Sequence, residues 1–482
     1  RQHHQHAFSR MVALLVARRL RPPWRRVVVV TSGRRLASTT TTTTPSIAAA
    51  VETKHKTAKD SPREATSVAV PPLAEAPPPW LAVPGKYRTG LGVVAASQAL
   101  LNFGFGVVVP VLPQYAAATL GMGASGVGIV LATPALMRVV LNSSCGRLAD
   151  SVGRVPMMAF GEATAAIGIA GTGVAGGVGE MVAARTLLGA GGAAATAGSA
   201  AWMADLTALR ETRPHRGAIL GGMAALTSAS WVLGPAVGGL LCHQLGPMAM
   251  FGGVSFAAAL CSASYFFLVP EIKKEEGETL VPSDDADSPS DKSATWELLE
   301  CPRQRSAVFA NAALAANYAV ALSVFPLHCA ATCGYGPLEV GCLFSGMAAL
   351  GCVGGPVSGY LSDKFGRAAV IGPGLVVCAL GNFAVGVSAE PYSLTAAAVL
   401  LGAGESVAAP AIAAATADEA PPNRRSEALS LSRTATDVVF LTLPPSLGLA
   451  ADVLGCGVPF AAVGAASGLA ALHVLSRLSP LR

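Results

Sequence analysis

The chain has 482 residues, a formal net charge of +6, 52% hydrophobic and only 13% charged residues, and a mean hydropathy of +0.52. A soluble domain carries about a quarter charged residues, so that class is excluded. The charges cluster in the first 88 residues, in 271–305 and in short segments between long apolar runs, a bias set by a lipid bilayer that needs no nucleic-acid partner.

Residues 1–51 hold nine Arg and no acidic residue, the first being Glu52. Arg-rich, hydroxylated and acid-free, "MVALLVARRLRPPWRRVVVVTSGRRLASTTTTTT" has the composition of a mitochondrial or plastid transit peptide. A basic cytosolic tail is the alternative. Residues 52–87, with "PPLAEAPPPWLAVPGK", read as a Pro-rich linker.

Twelve apolar runs follow, at 90–112, 123–144, 155–176, 179–204, 217–241, 248–269, 306–327, 337–358, 368–388, 392–416, 427–450 and 457–477. A helix needs about 20 apolar residues to cross about 30 Å of hydrocarbon. Lipid leaves no backbone group unpaired, so each run is expected to be a helical span. The segments after even-numbered spans carry Arg147, Arg154, Arg210, Arg213, Arg216, Lys273, Lys274, Arg303, Arg305, Lys364, Arg367, Arg424 and Arg425, and those after odd-numbered spans carry no Lys or Arg. That alternation places both termini on the cytoplasmic side or its organellar equivalent. The expected fold is all-α and polytopic: spans 1–6 in 88–270, a polar loop at 271–305, and spans 7–12 in 306–478.

Ten cysteines show no metal-type spacing. A disulfide between Cys329 and Cys333, or to Cys242 or Cys456, stays open, with free thiols the simpler reading. No metal and no cofactor is expected. No HExxH, GxSxG or GxxxxGK[ST] motif lies in or beside the spans, so neither an enzyme nor an ATP-driven pump is expected.

The two halves repeat each other. "GRLADSVGR" at 146–154 returns as "GYLSDKFGR" at 359–367, an offset of 213, and "LLGAG" at 187–191 returns at 400–404. After a four-residue contraction the offset is 209, and Pro235 meets Pro444, Gly239 meets Gly448, and Phe251 meets Phe460. The turn G-x-L-x-D-x-x-G-R, its echo, the span number and the charge alternation together resemble the major facilitator superfamily over roughly 88–478. The resemblance implies two pseudo-symmetric six-helix bundles that move a small organic solute by alternating access through a central cavity. It also implies a conformational latch made by Gly146, Asp150, Gly153, Arg154 and Asp205, with Gly359, Asp363, Gly366, Arg367 and Asp418 as second-half equivalents. Gly146 and Gly359 would allow close packing and Gly153 and Gly366 a tight reversal. Asp150 would accept bonds from a helix N-terminus, and Arg154 would pair with Asp205. Ser151 and Val155 depart from the family's basic residues, which points to a weaker first latch.

"ARTLLGAGGAA" at 184–194 is similar to the family's span-4 element on Arg185, Gly189 and Gly191. "GGMAALTSASWVLGPAVGG" at 221–239 is similar to the antiporter element of span 5 on Gly221, Gly234, Pro235, Gly238 and Gly239, with Ser230 where glycine is usual. These elements imply proton-coupled efflux. The alternatives are a metabolite uniporter or symporter of an organelle membrane, or a transporter-like sensor.

Ionisable residues inside the spans all break the repeat: Arg138 meets Gly351, Glu162 meets Leu375, Arg185 meets Ala398, Glu405 meets Gly192, Arg433 meets Ala224 and Asp437 meets Ser228. Such groups are costly in lipid and are expected to face a cavity or to pair. Glu405 and Arg185 lead as proton or solute groups. Arg433 and Asp437, four residues apart, are either a self-neutralising pair or part of the path. Arg138 and Glu162 either serve function or pair near the inner ends. In the family, spans 1 and 7 face the cavity, which makes Gln98, Asn102, Asn311, Asn317 and Tyr318 candidate solute contacts; His473 reads as packing. The expected partners are a small-molecule solute, protons and the bilayer, around a monomer. The expected location is a chloroplast or mitochondrial membrane, otherwise the plasma or vacuolar membrane.

Overall fold

The computed structural model describes residues 83–272, 297–420 and 424–478, all within one compact unit, Ala74–Arg482. The expected transit segment, most of the linker, and 273–296 of the polar loop lie outside the described residues.

Span 1 is Gly85–Leu120, span 2 Ala124–Val152, span 3 Arg154–Val174 and span 4 Val178–Ala208. Spans 5 and 6 form one helical run, Arg216–Leu268, broken only at Gly246, whose φ of 82° and ψ of 165° are open to glycine at little cost. Span 7, expected as one helix over 306–327, is instead two: Pro302–Ser323 and Phe325–Cys333. Pro326 lacks the N–H that would continue the first helix, so the chain restarts there. Spans 8–12 are Pro337–Phe365, Ala368–Val387, Pro391–Asp418, Arg425–Leu454 and Gly457–Arg477. Among the described residues ten helices are long and apolar enough to cross a membrane. The run Arg213–Leu268 counts once among them but supplies two spans, and Val178–Ala208 supplies span 4, which makes twelve.

Within each half, glycines let backbones touch. Span 3 packs on span 4 and span 9 on span 10. The contacts obey the repeat: Gly191 backs onto Ala165 and Gly161, and Gly404 onto Cys378 and Gly374; Gly168 meets Leu188, and Gly381 meets Leu401. Helix association in lipid depends on such close van der Waals packing, because burying apolar side chains there gains little.

The halves meet along two seams, span 2 against span 11 and span 5 against span 8. The duplication relates these seams too. A Cβ at Gly128 would collide with the carbonyl of Pro444, and one at Gly341 with that of Pro235; Gly448 abuts the carbonyl of Ala124, and Gly239 that of Pro337. Polar contacts join the halves as well: the N–H of Ala236 on span 5 donates to Ser345 Oγ on span 8 at 2.9 Å, and Gln114 Nε2 of span 1 donates to the carbonyls of Pro326 and Tyr335, each at 3.1 Å. All these contacts lie toward the end opposite the basic segments. Toward the basic end no heavy atom would come within 4 Å of a Cβ at Gly146, Gly217, Gly221, Gly222 or Gly359. The space between the halves is therefore shut at one end and open at the basic end. The close packing expected of Gly146 and Gly359 is absent for that reason: the surfaces they would touch stand apart in this state.

The ten cysteines are free, Cys329 and Cys333 included.

Candidate functional site

One cavity of about 1000 Å³ lies between the halves. Its walls draw on spans of both, with Phe105, Trp231, Phe251, Phe344 and Phe440 supplying rings. Its size is at the upper end of ordinary small-molecule pockets. The ionisable acids and bases among its lining residues are Arg138, Glu162, Arg185 and Glu405. Each of the four breaks the internal repeat, so chemistry gathers where the two halves differ.

Glu162, Arg185 and Glu405 are 3%, 5% and 8% exposed although they line the cavity. Glu162 Oε2, Arg185 Nε and Glu405 Oε1 are buried without a hydrogen-bond partner among the described residues. Buried charge without a partner is costly and normally neutralised or paired. Arg138 differs, since it reaches Asp437 of span 11 with Nε 3.6 Å from Oδ1. The pairing of Arg433 with Asp437 is thus not adopted: Arg433 is exposed, and Asp437 turns to the other half. Arg185 is presented by the glycine element beside it, because a Cβ at Gly189 would lie 2.6 Å from Pro134 Cα, so spans 2 and 4 touch there. That contact sets Arg138 and Arg185 within electrostatic reach of each other.

The polar candidates divide. Gln98, Asn102 and Tyr318 line the cavity, and Asn102 Nδ2 donates to the carbonyl of Gln98 at 2.7 Å. Tyr318 is in electrostatic reach of Glu405. Asn311 and Asn317 face away. Asn311 Nδ2 donates to the carbonyl of Ser432 and to Thr436 Oγ1 at 3.0 and 2.9 Å, and Asn317 joins Ser467 and Asn382 in a buried network. They tie span 7 to its neighbours within the second half. His473 Nε2 lies 3.1 Å from Ser306 Oγ, and its ring stands edge-on to Phe309.

At the basic end the repeated turns adopt one geometry twice. Gly153 and Gly366, with φ of 115° and 91°, end spans 2 and 8 in a backbone region that L side chains rarely enter. Arg154 Nε donates to Asp205 Oδ2 at 2.9 Å and Nη2 to Asp150 Oδ1 at 3.0 Å. Arg367 Nε donates to Asp418 Oδ2 at 2.9 Å, and Nη1 to Asp363 Oδ1 and Ser362 Oγ, both at 2.6 Å. Burial opposes the charge of Arg367, but its bonds to Asp418 and Asp363 outweigh that and raise its pKa. Asp150 and Asp363, with side chains 70% exposed, touch only their own half among the described contacts. In span 5, Gly234, Pro235, Gly238 and Gly239 sit in tight contact with span 1 or span 8.

Two charged contacts have no forerunner in the sequence pattern. Asp452, at the end of span 11 away from the basic segments, accepts the N–H groups of Ala124 and Ser125 at 2.7 and 2.9 Å. It thereby caps span 2 of the opposite half. The repeat places His243 at the matching position, so this cap exists on one seam only. Glu271 Oε1 accepts the N–H of Val155 at 3.2 Å, capping span 3. The mismatch of Asp452 with His243 is the one signal in the sequence that could have drawn attention to it.

The profile of the Major Facilitator Superfamily matches residues 94–303 and 307–482. The Escherichia coli inner membrane transport protein YajR is 30% identical over 190 residues, 39% of this chain and 40% of that protein. Multidrug resistance protein 1 of Bacillus subtilis is 27% identical over 194 residues, 40% of this chain and 49% of that protein. The chain thus spans about half the length of the curated relatives it matches. Among solved structures, a bacterial homologue of the human lysosomal transporter Spinster, inward-facing and unoccupied, superposes with a TM-score of 0.65 at 14% identity, covering 81% of this chain and 95% of that one. The nucleoside transporter NupG gives 0.63 at 13% identity, covering 81% and 99%.

Proposed function

The chain belongs to the Major Facilitator Superfamily, and on that footing we propose that it exports a small organic solute across its membrane in exchange for protons. The observation that carries this reading is the pair of buried, unpartnered carboxyl groups, Glu162 and Glu405, on the walls of a cavity between two pseudo-symmetric halves. A carboxyl in such a place can change its charge by taking or losing a proton, and its cost of burial changes with it. Coupling follows when protonation and solute occupancy alter the relative stability of the two access states. Support also comes from the antiporter-type span 5 and from relatives that include multidrug resistance proteins.

In the mechanism, the observed state opens the cavity at its basic, cytoplasmic end. Solute enters against the aromatic walls. The halves then rock: the seams at Gly128–Pro444 and Gly341–Pro235 part, the Asp452 cap releases, and the basic ends close. Asp150 and Asp363, free of the opposite half in the state described, take the dipole-bearing end of a helix there and hold the closed form. Arg154 and Arg367, fixed by Asp205 and Asp418, orient those carboxylates. Proton entry from the far side at Glu405 resets the cycle.

The test is reconstitution of the full chain in proteoliposomes with a panel of organic solutes, each with and without an imposed pH difference. Export driven by an inward proton gradient is expected; flux indifferent to the gradient would overturn the coupling and leave a uniporter.

A further inference from the structure

The four ionisable lining residues do not balance in a simple way. Arg138 has Asp437 as its counterion across the seam. Arg185 has none among the described residues, is 95% buried on its 5% exposure, and keeps Nε unpartnered. A carboxyl can shed the cost of burial by taking a proton, whereas a guanidinium stays charged at any physiological pH. Arg185 is thus a permanent cation at the cavity wall, and an anion is what completes it. Glu405 is the mirror case on the wall supplied by the other half: 8% exposed, with Oε1 unpartnered.

Their depths differ as well. The repeat aligns Arg185 with Ala398, seven residues before Glu405 on span 10. At a helical rise of 1.5 Å per residue, Glu405 lies about 10 Å nearer the basic end than Arg185. The cavity that both residues line also carries the rings of Phe105, Trp231, Phe344 and Phe440.

We propose that the solute is an amphipathic zwitterion: a carboxylate bound by Arg185, an ammonium bound by Glu405, and a flat apolar body about 10 Å long between them. The inference rests on the exporter reading and names its substrate class. A planar guanidinium suits a carboxylate because it can donate two parallel bonds. The ammonium takes the place of the proton on Glu405, so loading solute releases a proton. Glu162 lies in the half that holds Arg185, within electrostatic reach of Tyr265, and is not needed for either end of the solute.

Binding to the full chain in nanodiscs, with no gradient, tests this by calorimetry with three probes sharing one ring system. They are naphthalene-2-carboxylate, 2-naphthylmethylammonium and 6-(aminomethyl)naphthalene-2-carboxylate. One added charge-assisted bond contributes about 1.5–3 kcal/mol, so the zwitterion should bind at least about tenfold more tightly than either single-charge probe. Arg185→Gln should bring the zwitterion down to the ammonium probe while leaving that probe's own affinity intact, which also shows that the variant folds. Glu405→Gln should bring it down to the carboxylate probe. Equal or tighter binding of a single-charge probe to the wild-type chain, no binding of the zwitterion, or an unchanged ratio in folded Arg185→Gln would overturn the proposal. Because no pH difference is applied, failure here leaves proton coupling standing, and failure of coupling leaves this result standing.

Discussion

Arg138 and Asp437 form the one ion pair among the described residues that crosses between the halves, with Nε 3.6 Å from Oδ1. Arg138 lies ten residues from Gly128 on span 2, about 15 Å toward the basic end at the usual helical rise. The pair thus sits where the tight seam gives way to the cavity. Its side chains are 36% and 22% exposed, and half-solvated pairs of this kind contribute about 0.2–1 kcal/mol. Asp437→Asn leaves two uncompensated guanidiniums facing one cavity. Affinity for naphthalene-2-carboxylate is expected to rise about two- to fivefold, and Arg138→Gln in the same chain should restore it. Calorimetry on the two single variants and the double variant closes the cycle.

Glu405→Gln fixes that side chain in a neutral form close in shape to the protonated acid. Transport driven by a pH difference should fall to background, at least about a hundredfold. Exchange of labelled for unlabelled naphthalene-2-carboxylate across the same proteoliposomes, which needs neither net proton movement nor an ammonium on Glu405, should persist. Full retention of gradient-driven flux would remove Glu405 from the mechanism.

Much of this was legible in the sequence, and the exceptions share a cause. Hydropathy and the Lys/Arg alternation reveal spans because lipid imposes length and sign on any chain. The repeat reveals the seams because Gly128 with Pro444 and Gly341 with Pro235 are one contact written twice. Asn311 and Asn317, candidate solute contacts through the resemblance, bond instead to neighbouring helices of the second half. They sit in an Ala-rich helix, where the pattern of side chains does not distinguish the face turned to a neighbour from the face turned to an opening. The role of Asp452 is not legible in the sequence because its partners, Ala124 and Ser125, lie more than 300 residues away and offer only backbone. Gly146 and Gly359 stand open where close contact is expected, because a sequence does not say which of two states a structure occupies.

The glycines separate folding from switching. A Cβ at Gly161 would strike the backbone of Ala195 inside one bundle, whereas at the equivalent Gly374 it would stand 3.0 Å from Ala408 N. Overpacking of this kind costs about 1–3 kcal/mol, so Gly161→Ala should lower the unfolding temperature in detergent by several degrees and Gly374→Ala by less. Gly128→Ala strikes only across the seam. It should leave the unfolding temperature nearly unchanged and instead speed hydrogen exchange at Ala124 and Ser125 as the seam loosens.

Asp150 touches only Arg154 among the described contacts and its side chain is 70% exposed, so this state gains little from it. Asp150→Asn should shift stability by less than about 0.5 kcal/mol, the ordinary range for surface changes. Turnover should still fall, about three- to tenfold, because the closed basic end loses its anion. Unchanged turnover would dismiss the latch role. Asp205→Asn is the contrast: it strips Arg154 of its better-buried partner and should lower both stability and turnover.

Asp452 gives the sharpest test of asymmetry between the seams. Its carboxylate holds two N–H groups at the start of span 2, a place where the helix dipole also favours an anion. Bonds to a charged acceptor contribute about 1.5–3 kcal/mol when sheltered, and less at this solvent-facing position. Asp452→Ala should therefore raise amide exchange at Ala124 and Ser125 about three- to tenfold. His243 is the residue that the repeat sets against Asp452, so His243→Ala should leave exchange at Leu338, the counterpart of Ser125, unchanged. If the two variants loosen their seams equally, the cap does no more than generic packing. If only Asp452→Ala does so and solute then leaks toward the far side without a pH difference, the second-half carboxylate is the bolt on that end of the cavity.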